Sequence, residues 1–200
     1  MKVSEINLPP IVGITGSARS GKDTFCKLSA EVFKKEKDKN IVRAGFADAV
    51  KADLHQLLVK NVGISAYTNV NEEKELIRPL LVEYGTNLKR KLNPDCWIER
   101  MQPNIDLATH LNSTLMITDV RYENEVDFIE EKGGVIVYID MKGNSPANSE
   151  EEKNDAMLRS RAKETLVWDK VGEDHSDLIK LKPKVSSILK KLSCTPTKKT

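Results

Sequence analysis

The chain has 200 residues, 39% of them hydrophobic, and its 32 basic and 30 acidic side chains leave a formal net charge of +2. That near balance argues against a protein whose main task is to coat nucleic acid or an anionic membrane, while the length suits a single domain with a sizeable core. No apolar run approaches the ~18 residues of a membrane span, and Met1 to Pro10 lacks the basic and apolar regions of a signal peptide, so a soluble, cytoplasmic protein is expected. Cys26, Cys96 and Cys194 are widely spaced, form no Cys-x-x-Cys or Cys/His cluster, and read as reduced thiols.

The first predicted element is a β-branched strand, Ile11 to Thr15. It runs into Gly16-Ser17-Ala18-Arg19-Ser20-Gly21-Lys22-Asp23-Thr24, after which Phe25, Leu28 and Val32 recur at helical spacing. Glycine, four residues, Gly-Lys and a hydroxyl residue form a phosphate-binding loop. Its backbone N–H groups wrap a phosphate chain and its lysine reaches the β- and γ-phosphates. Asp23 is the one departure, standing where a hydroxyl that ligates magnesium is usual. The strand, loop and helix context raises this match above a bare glycine-rich turn, and the helix start adds its own attraction for anions.

Ile41 to Phe46 reads as a second buried strand, with Asp48 capping a helix that carries Val50, Leu54, Leu57 and Leu58. Lys51 then falls in that helix's first turn. A cation is mildly unfavourable there, so it either faces a ligand phosphate or is simply exposed. After a polar loop, Gly63 to Asn71, the stretch Glu72 to Lys91 shows two helical pieces interrupted at Pro79 and Gly85. Pro94 opens a short helix through Met101, stopped by Pro103. Trp97 within it suits either the core or stacking on a base.

Thr114 to Asp119 is an apolar strand that ends in a carboxylate. Ligands gather at the carboxyl ends of parallel strands, where an acidic residue commonly holds magnesium directly or through water. Asp119 suits that role or the N-cap of the helix that follows, or both. Arg121, placed in that helix's first turn, opposes the dipole and calls for a phosphate or carboxylate partner. Gly133-Gly134 ends the helix and Val135 to Asp140 is the fourth strand. Residues 142–165, with Pro146, Glu150-Glu151-Glu152, Arg159 and Arg161, read equally as a lid or as an exposed surface helix. Leu166 to Val171 is a candidate last strand, a closing helix begins at Ser176 and kinks at Pro183, and 196–200 is a polar tail.

The alternation of strands and helices predicts an α/β, three-layer P-loop NTPase fold with a parallel sheet of about five strands flanked by helices. One domain, 1–195, would carry a substrate-binding helical insertion at about 48–112 and the candidate lid. No Asn-Lys-x-Asp base-recognition string is present, which turns the reading from GTPases toward a small-molecule kinase.

Four separated stretches then acquire a shared meaning: Gly16 to Thr24, Phe46 to Lys51, Arg78 to Asn87 with Trp97, and Asp119 to Glu125. In order and spacing the chain resembles the deoxynucleoside monophosphate kinases of bacteriophage type, whose loop also reads Gly-Lys-Asp-Thr. The resemblance spans about Ile11 to Met141. It implies an NMP-kinase-like fold with a lid, and transfer of the γ-phosphoryl of ATP to a deoxynucleoside monophosphate with Mg2+. It implies that Gly16, Ser17, Ala18, Arg19, Ser20, Gly21, Lys22, Asp23 and Thr24 hold the nucleotide. Lys22, Arg78, Asp119 and Arg121 become the catalytic candidates, and Lys51, Arg78, Glu83, Trp97 and Arg121 the acceptor-side ones. Asp23, Thr24 and Asp119 become the magnesium candidates. The expected partners are the small-molecule substrate and, as an option, a second copy of the chain. The expected location is the cytoplasm, that of a host cell if the protein is phage-encoded. Other readings weighed are a dephospho-coenzyme A or nucleoside kinase, and a nucleotide-binding regulator without an acceptor.

Overall fold

A computed structural model describes residues 7–37, 40–143, 149–169 and 175–193, without side chains at 35–37, 149–152 and 175–177. Five apolar runs form β1 (Ile11–Thr15), β2 (Ile41–Ala44), β3 (Thr114–Ile117), β4 (Val135–Met141) and β5 (Glu164–Trp168). Every pairing is parallel and the order across the sheet is β2-β3-β1-β4-β5. Parallel neighbours need crossovers, and helices supply them, covering both faces; the central strands are therefore buried on both sides and read as unbroken apolar sequence. Accordingly, β1 and β3 are buried at every residue, whereas β2 carries the exposed Arg43 at an edge.

Against one face of the sheet lie α1 (Lys22–Lys37) and α8 (His175–Ser193). Val12, Ile14, Met116, Val137, Ile139 and Trp168 project there and pack with Phe25, Leu28, Phe33, Val185 and Leu189 in one apolar cluster. The opposite face takes α6 (Glu123–Glu131) and α7 (Ser149–Arg161), with α6 on β1 and β4 and α7 on β4. Three layers result, as the alternation predicts.

Residues Gly45–Pro103 form a second compact unit, apart from the sheet unit of Met1–Ala44 and Asn104–Thr200. It holds α2 (Phe46–Val62), α3 (Asn71–Val82), a π-helical segment (Glu83–Arg90) and α4 (Cys96–Glu99); α5 (Gln102–His110) follows. Phe46, Leu54, Leu58, Ile77, Trp97 and Met101 are its bulkiest buried residues, and the Trp97 indole N–H donates to the Gly85 carbonyl at 3.0 Å. A Cβ on Gly85 would lie 3.2 Å from the Val50 methyls, so glycine lets this segment close on α2.

Several local expectations are corrected. β2 stops at Ala44, and Phe46 opens α2 behind an extended Gly45 instead of extending the strand. Asp48 thus lies inside the first turn without capping it, and Lys51 lies in the second turn. Pro79 sits within α3, because proline has a helical φ and forfeits a single hydrogen bond. The change of winding comes later, at Glu83. Pro103 is in the first turn of α5, where a missing N–H has no intrahelical partner to lose. β5 begins at Glu164, in register with Val137, two residues before the apolar run that announced it. Pro183 stays inside α8. Residues 144–148 of the expected lid, the side chains of Glu150 to Glu152, Lys170 and Val171 of the expected last strand, and the tail at 196–200 lie outside the described residues.

Candidate functional site

The loop between β1 and α1 is shaped by backbone that side chains tolerate poorly. Gly16 has φ +132, Arg19 φ +61 and Gly21 φ +88. A Cβ on Gly16 would lie 2.1 Å from the Ile139 carbonyl oxygen, and one on Gly21 would lie 2.6 Å from Trp168 Cζ2. Both glycines are therefore required twice over, by conformation and by the β4 and β5 residues pressed beneath them. Trp168 also donates its indole N–H to the Ser20 carbonyl at 2.7 Å. Within the loop, Lys22 Nζ donates to the carbonyls of Gly16 at 2.7 Å and Ser17 at 2.6 Å, which curls the cation over the turn. The Ser20 hydroxyl is buried with no hydrogen-bond partner among the described residues. Positive φ at positions 16, 19 and 21, a helix start, a curled lysine and a buried donor together suit a chain of phosphate oxygens.

Beside the loop stands the turn between β3 and α6. Thr15 Oγ1 donates to the Val120 carbonyl at 2.8 Å, and the Val120 N–H donates to the Ile14 carbonyl at 3.2 Å. These two bonds lock the end of β1 to residue 120, so Asp119 and Arg121 flank the residue bonded to the last two residues before the loop. Glu125, 1% exposed, accepts from the N–H groups of Arg121 at 2.8 Å and Tyr122 at 3.2 Å and fixes the rest of the turn. The N-cap of α6 is Tyr122, so the capping alternative for Asp119 is removed; Arg121 precedes the helix instead of occupying its first turn. After β1 the chain crosses to the α1 face and after β3 to the α6 face. A crevice opens where such crossovers diverge, outside the carboxyl ends of the strands.

Asp23 lies in the first turn of α1 with 83% of its side chain exposed, 3.7 Å from Arg43 of β2. With Thr24 and Lys27 it lines a groove of about 250 Å³, bounded across from α1 by Leu178, Ile179 and Lys182 of α8. Among the described residues, no three His, Cys, Asp or Glu side chains gather to hold a metal unaided. Magnesium bound through phosphate oxygens and water asks for only one or two carboxylates, which Asp23 and Asp119 can supply.

The other residues singled out in the sequence belong to the helical unit. Lys51 is half-buried, and Arg78 is 55% exposed and pairs with Glu75 at 3.0 Å. Glu83 accepts from Asn87 Nδ2 at 2.7 Å. Trp97, 2% exposed, serves the core of this unit. A polar cluster there had no counterpart in the sequence reading. Arg100 Nη1 donates to Asp53 Oδ1 at 2.6 Å and the Tyr84 hydroxyl donates to Asp53 Oδ2 at 2.9 Å. Burial pushes the Asp53 carboxyl up, but these hydrogen bonds outweigh it and hold the group below the usual carboxylate range. Separations of 31 and 47 residues gave no local signal for it.

In the expected lid, Arg159 donates to Asp155 at 2.8 Å and Asp140 at 3.0 Å and lies 4.1 Å from the Tyr138 ring centroid. Tyr138 in turn donates to Asp155, and burial followed by this bond raises its phenol above the ordinary range. Arg161 donates to Asp127 at 2.7 Å and Glu130 at 2.6 Å on α6. Both arginines of α7 are thus held by carboxylates of the sheet unit.

No protein-family model and no curated protein matches the chain. Among solved structures it is similar to an unliganded sugar kinase from Janibacter sp. HTCC2649, at 15% identity over 92% of this chain and 98% of that one, with a TM-score of 0.43. It is also similar to a Thermus thermophilus protein, at 16% identity over 92% and 99% of the two chains, with a TM-score of 0.40. At such scores the class rests on the chain itself. Its parallel five-stranded sheet and the loop that follows β1 define a P-loop α/β protein. No helix among the described residues is long and apolar enough to cross a membrane.

Proposed function

We propose that this protein is an ATP-dependent kinase that phosphorylates a deoxynucleoside monophosphate to the diphosphate. The observation that carries the kinase reading is the pair of hydrogen bonds joining β1 to Val120, because they bring a phosphate loop beside a turn bearing both a carboxylate and an arginine. Phosphoryl transfer needs those groups: donors wrapped around the phosphates, a carboxylate for a metal, and positive charge over the moving group. The choice of acceptor is supported by the resemblance of the four sequence stretches.

In this reading the loop amides and Lys22 hold the triphosphate of ATP. Asp119, with Asp23 or Thr24, would hold magnesium, which neutralises phosphate charge when bound. The resemblance assigns Arg121 and Arg78 to the acceptor phosphate or the γ-phosphate, and Lys51 and Glu83 to recognition of the acceptor. ADP release measured with dAMP, dCMP, dGMP, dTMP, their ribose counterparts, the nucleosides and dephospho-coenzyme A tests the proposal. Stimulation by one or more deoxynucleotides is expected. Stimulation only by a nucleoside or by dephospho-coenzyme A would move the protein to another kinase class, and no stimulation by any acceptor would remove the kinase reading.

A further inference from the structure

Across the sheet, Arg43 of β2, Met116 of β3, Val12 of β1 and Val135 of β4 stand in register. In-register residues of a parallel sheet share a face, and Met116 and Val12 belong to the apolar cluster beneath α1 and α8, against which Ile41 and Val135 also pack. Arg43 is therefore the charged member of an otherwise apolar row, turned toward α1. An inward charge on an edge strand guards against edge-to-edge pairing, but that use calls for no particular partner. Arg43 has one. Its guanidinium lies 3.7 Å from the carboxylate of Asp23, at the loop position where a hydroxyl is usual.

This pair matters more for a ligand than for folding. With 46% and 83% of the two side chains exposed, the ion pair adds little to stability. Asp23, however, occupies the first turn of α1, and the start of a helix attracts anions. Its carboxylate and a phosphate chain thus compete for one positive end. A neutral hydroxyl raises no such conflict. A cation beside the carboxylate offsets the repulsion and draws the group toward β2. We propose that Arg43 is a positioning residue for nucleotide binding: it neutralises Asp23, admits the phosphates to the loop, and moderates the pull of that carboxylate on magnesium. The inference rests on the kinase reading above, since it takes ATP as the ligand of the loop.

Calorimetric titration with ATP in EDTA, and with ATP plus magnesium, tests it independently of turnover. Arg43→Gln keeps the aliphatic stem and removes the charge, so melting should show a folded protein. The dissociation constant for metal-free ATP is expected to rise on the order of fivefold, the scale of one unit charge at about 4 Å in water, and that for magnesium-ATP to rise about twofold or less. Arg43→Lys should stay close to the wild type. Adding Asp23→Asn to Arg43→Gln should restore metal-free binding to the wild-type level or tighter, a rescue that a merely structural arginine would not show. No change, equal weakening of both forms, or an effect of Arg43→Gln undiminished in the Asp23→Asn background would overturn the proposal and leave the kinase reading standing. A wild type that binds ATP in neither form would overturn both.

Discussion

The indole N–H of Trp168 donates to the carbonyl oxygen of Ser20 at 2.7 Å, across 148 residues of sequence. A residue at the end of the edge strand thereby sets the height of the phosphate loop. Trp168→Phe keeps an aromatic ring under Gly21 but leaves the Ser20 carbonyl unpaired. The expected loss is about 1–3 kcal/mol of stability, with weaker ATP binding at the same time. Thermal melts and a nucleotide titration of one preparation measure both, and unaltered affinity would show that this bond does not shape the loop.

Gly21→Ala meets two obstacles, a φ of +88 and a Cβ 2.6 Å from Trp168 Cζ2. Backbone strain of this kind costs about 1–3 kcal/mol. Denaturant unfolding should report that loss. In Trp168→Leu the added methyl group has room, so the penalty of Gly21→Ala should shrink; a double-mutant cycle with no coupling would refute the contact.

Lys22 spends its hydrogen bonds on Gly16 and Ser17, inside the loop. Lys22→Ala should therefore leave a folded protein that is less stable by about 1–3 kcal/mol, while lowering kcat about 10²–10³-fold, the scale found when one preorganised donor is removed from a charged transition state. Single-turnover kinetics beside a melt separates the two effects. A collapse of stability with normal turnover would reverse the assignment.

Asp53 offers a pH test. Its carboxyl is held below the ordinary range because hydrogen bonds from Arg100 and Tyr84 outweigh burial. A depressed folded-state pKa contributes stability above the unfolded value, near 3.9, and that contribution disappears as pH falls through the folded value. The stability gap between the wild type and Asp53→Asn should therefore be constant from neutral pH to about pH 5 and narrow below about pH 4. A gap that widens in acid would contradict the sign.

Cys26 is 4% exposed and burial pushes its thiol up to about 11, a rise that Arg43 partly offsets and Asp23 reinforces. Thiolate is the reactive form, so iodoacetamide at pH 8 should leave Cys26 unmodified in the native protein and label it on unfolding. Peptide mapping before and after denaturant reads the result directly.

Which of these features the sequence disclosed follows from the range of the forces involved. β1, β3 and β4 announce themselves because a parallel strand covered on both faces must be apolar throughout. The loop is legible because its glycines and lysine are contiguous, and Asp119 because it closes an apolar run. Phe46 misled, since an aromatic residue after a strand looks the same whether it extends that strand or opens a helix. Pro79 and Pro103 misled in another way, as their cost depends on which carbonyls stand opposite. Trp168 beneath the loop, and Asp53 between Arg100 and Tyr84, depend on contacts across 148, 47 and 31 residues, which no local pattern encodes.

The order of the strands along the chain has a temporal meaning. The loop is spelled out by residues 16–24, near the beginning, yet its supports come from Val120, Ile139 and finally Trp168. During synthesis the amino-terminal part emerges first, and contacts of long sequence separation wait for their partners. A nascent chain halted before Trp168 thus carries the whole phosphate motif without the floor that gives it shape. Its grip on nucleotide should arrive late and abruptly, with the fifth strand, so that the last step of assembling the sheet is also the step that makes the protein competent to bind.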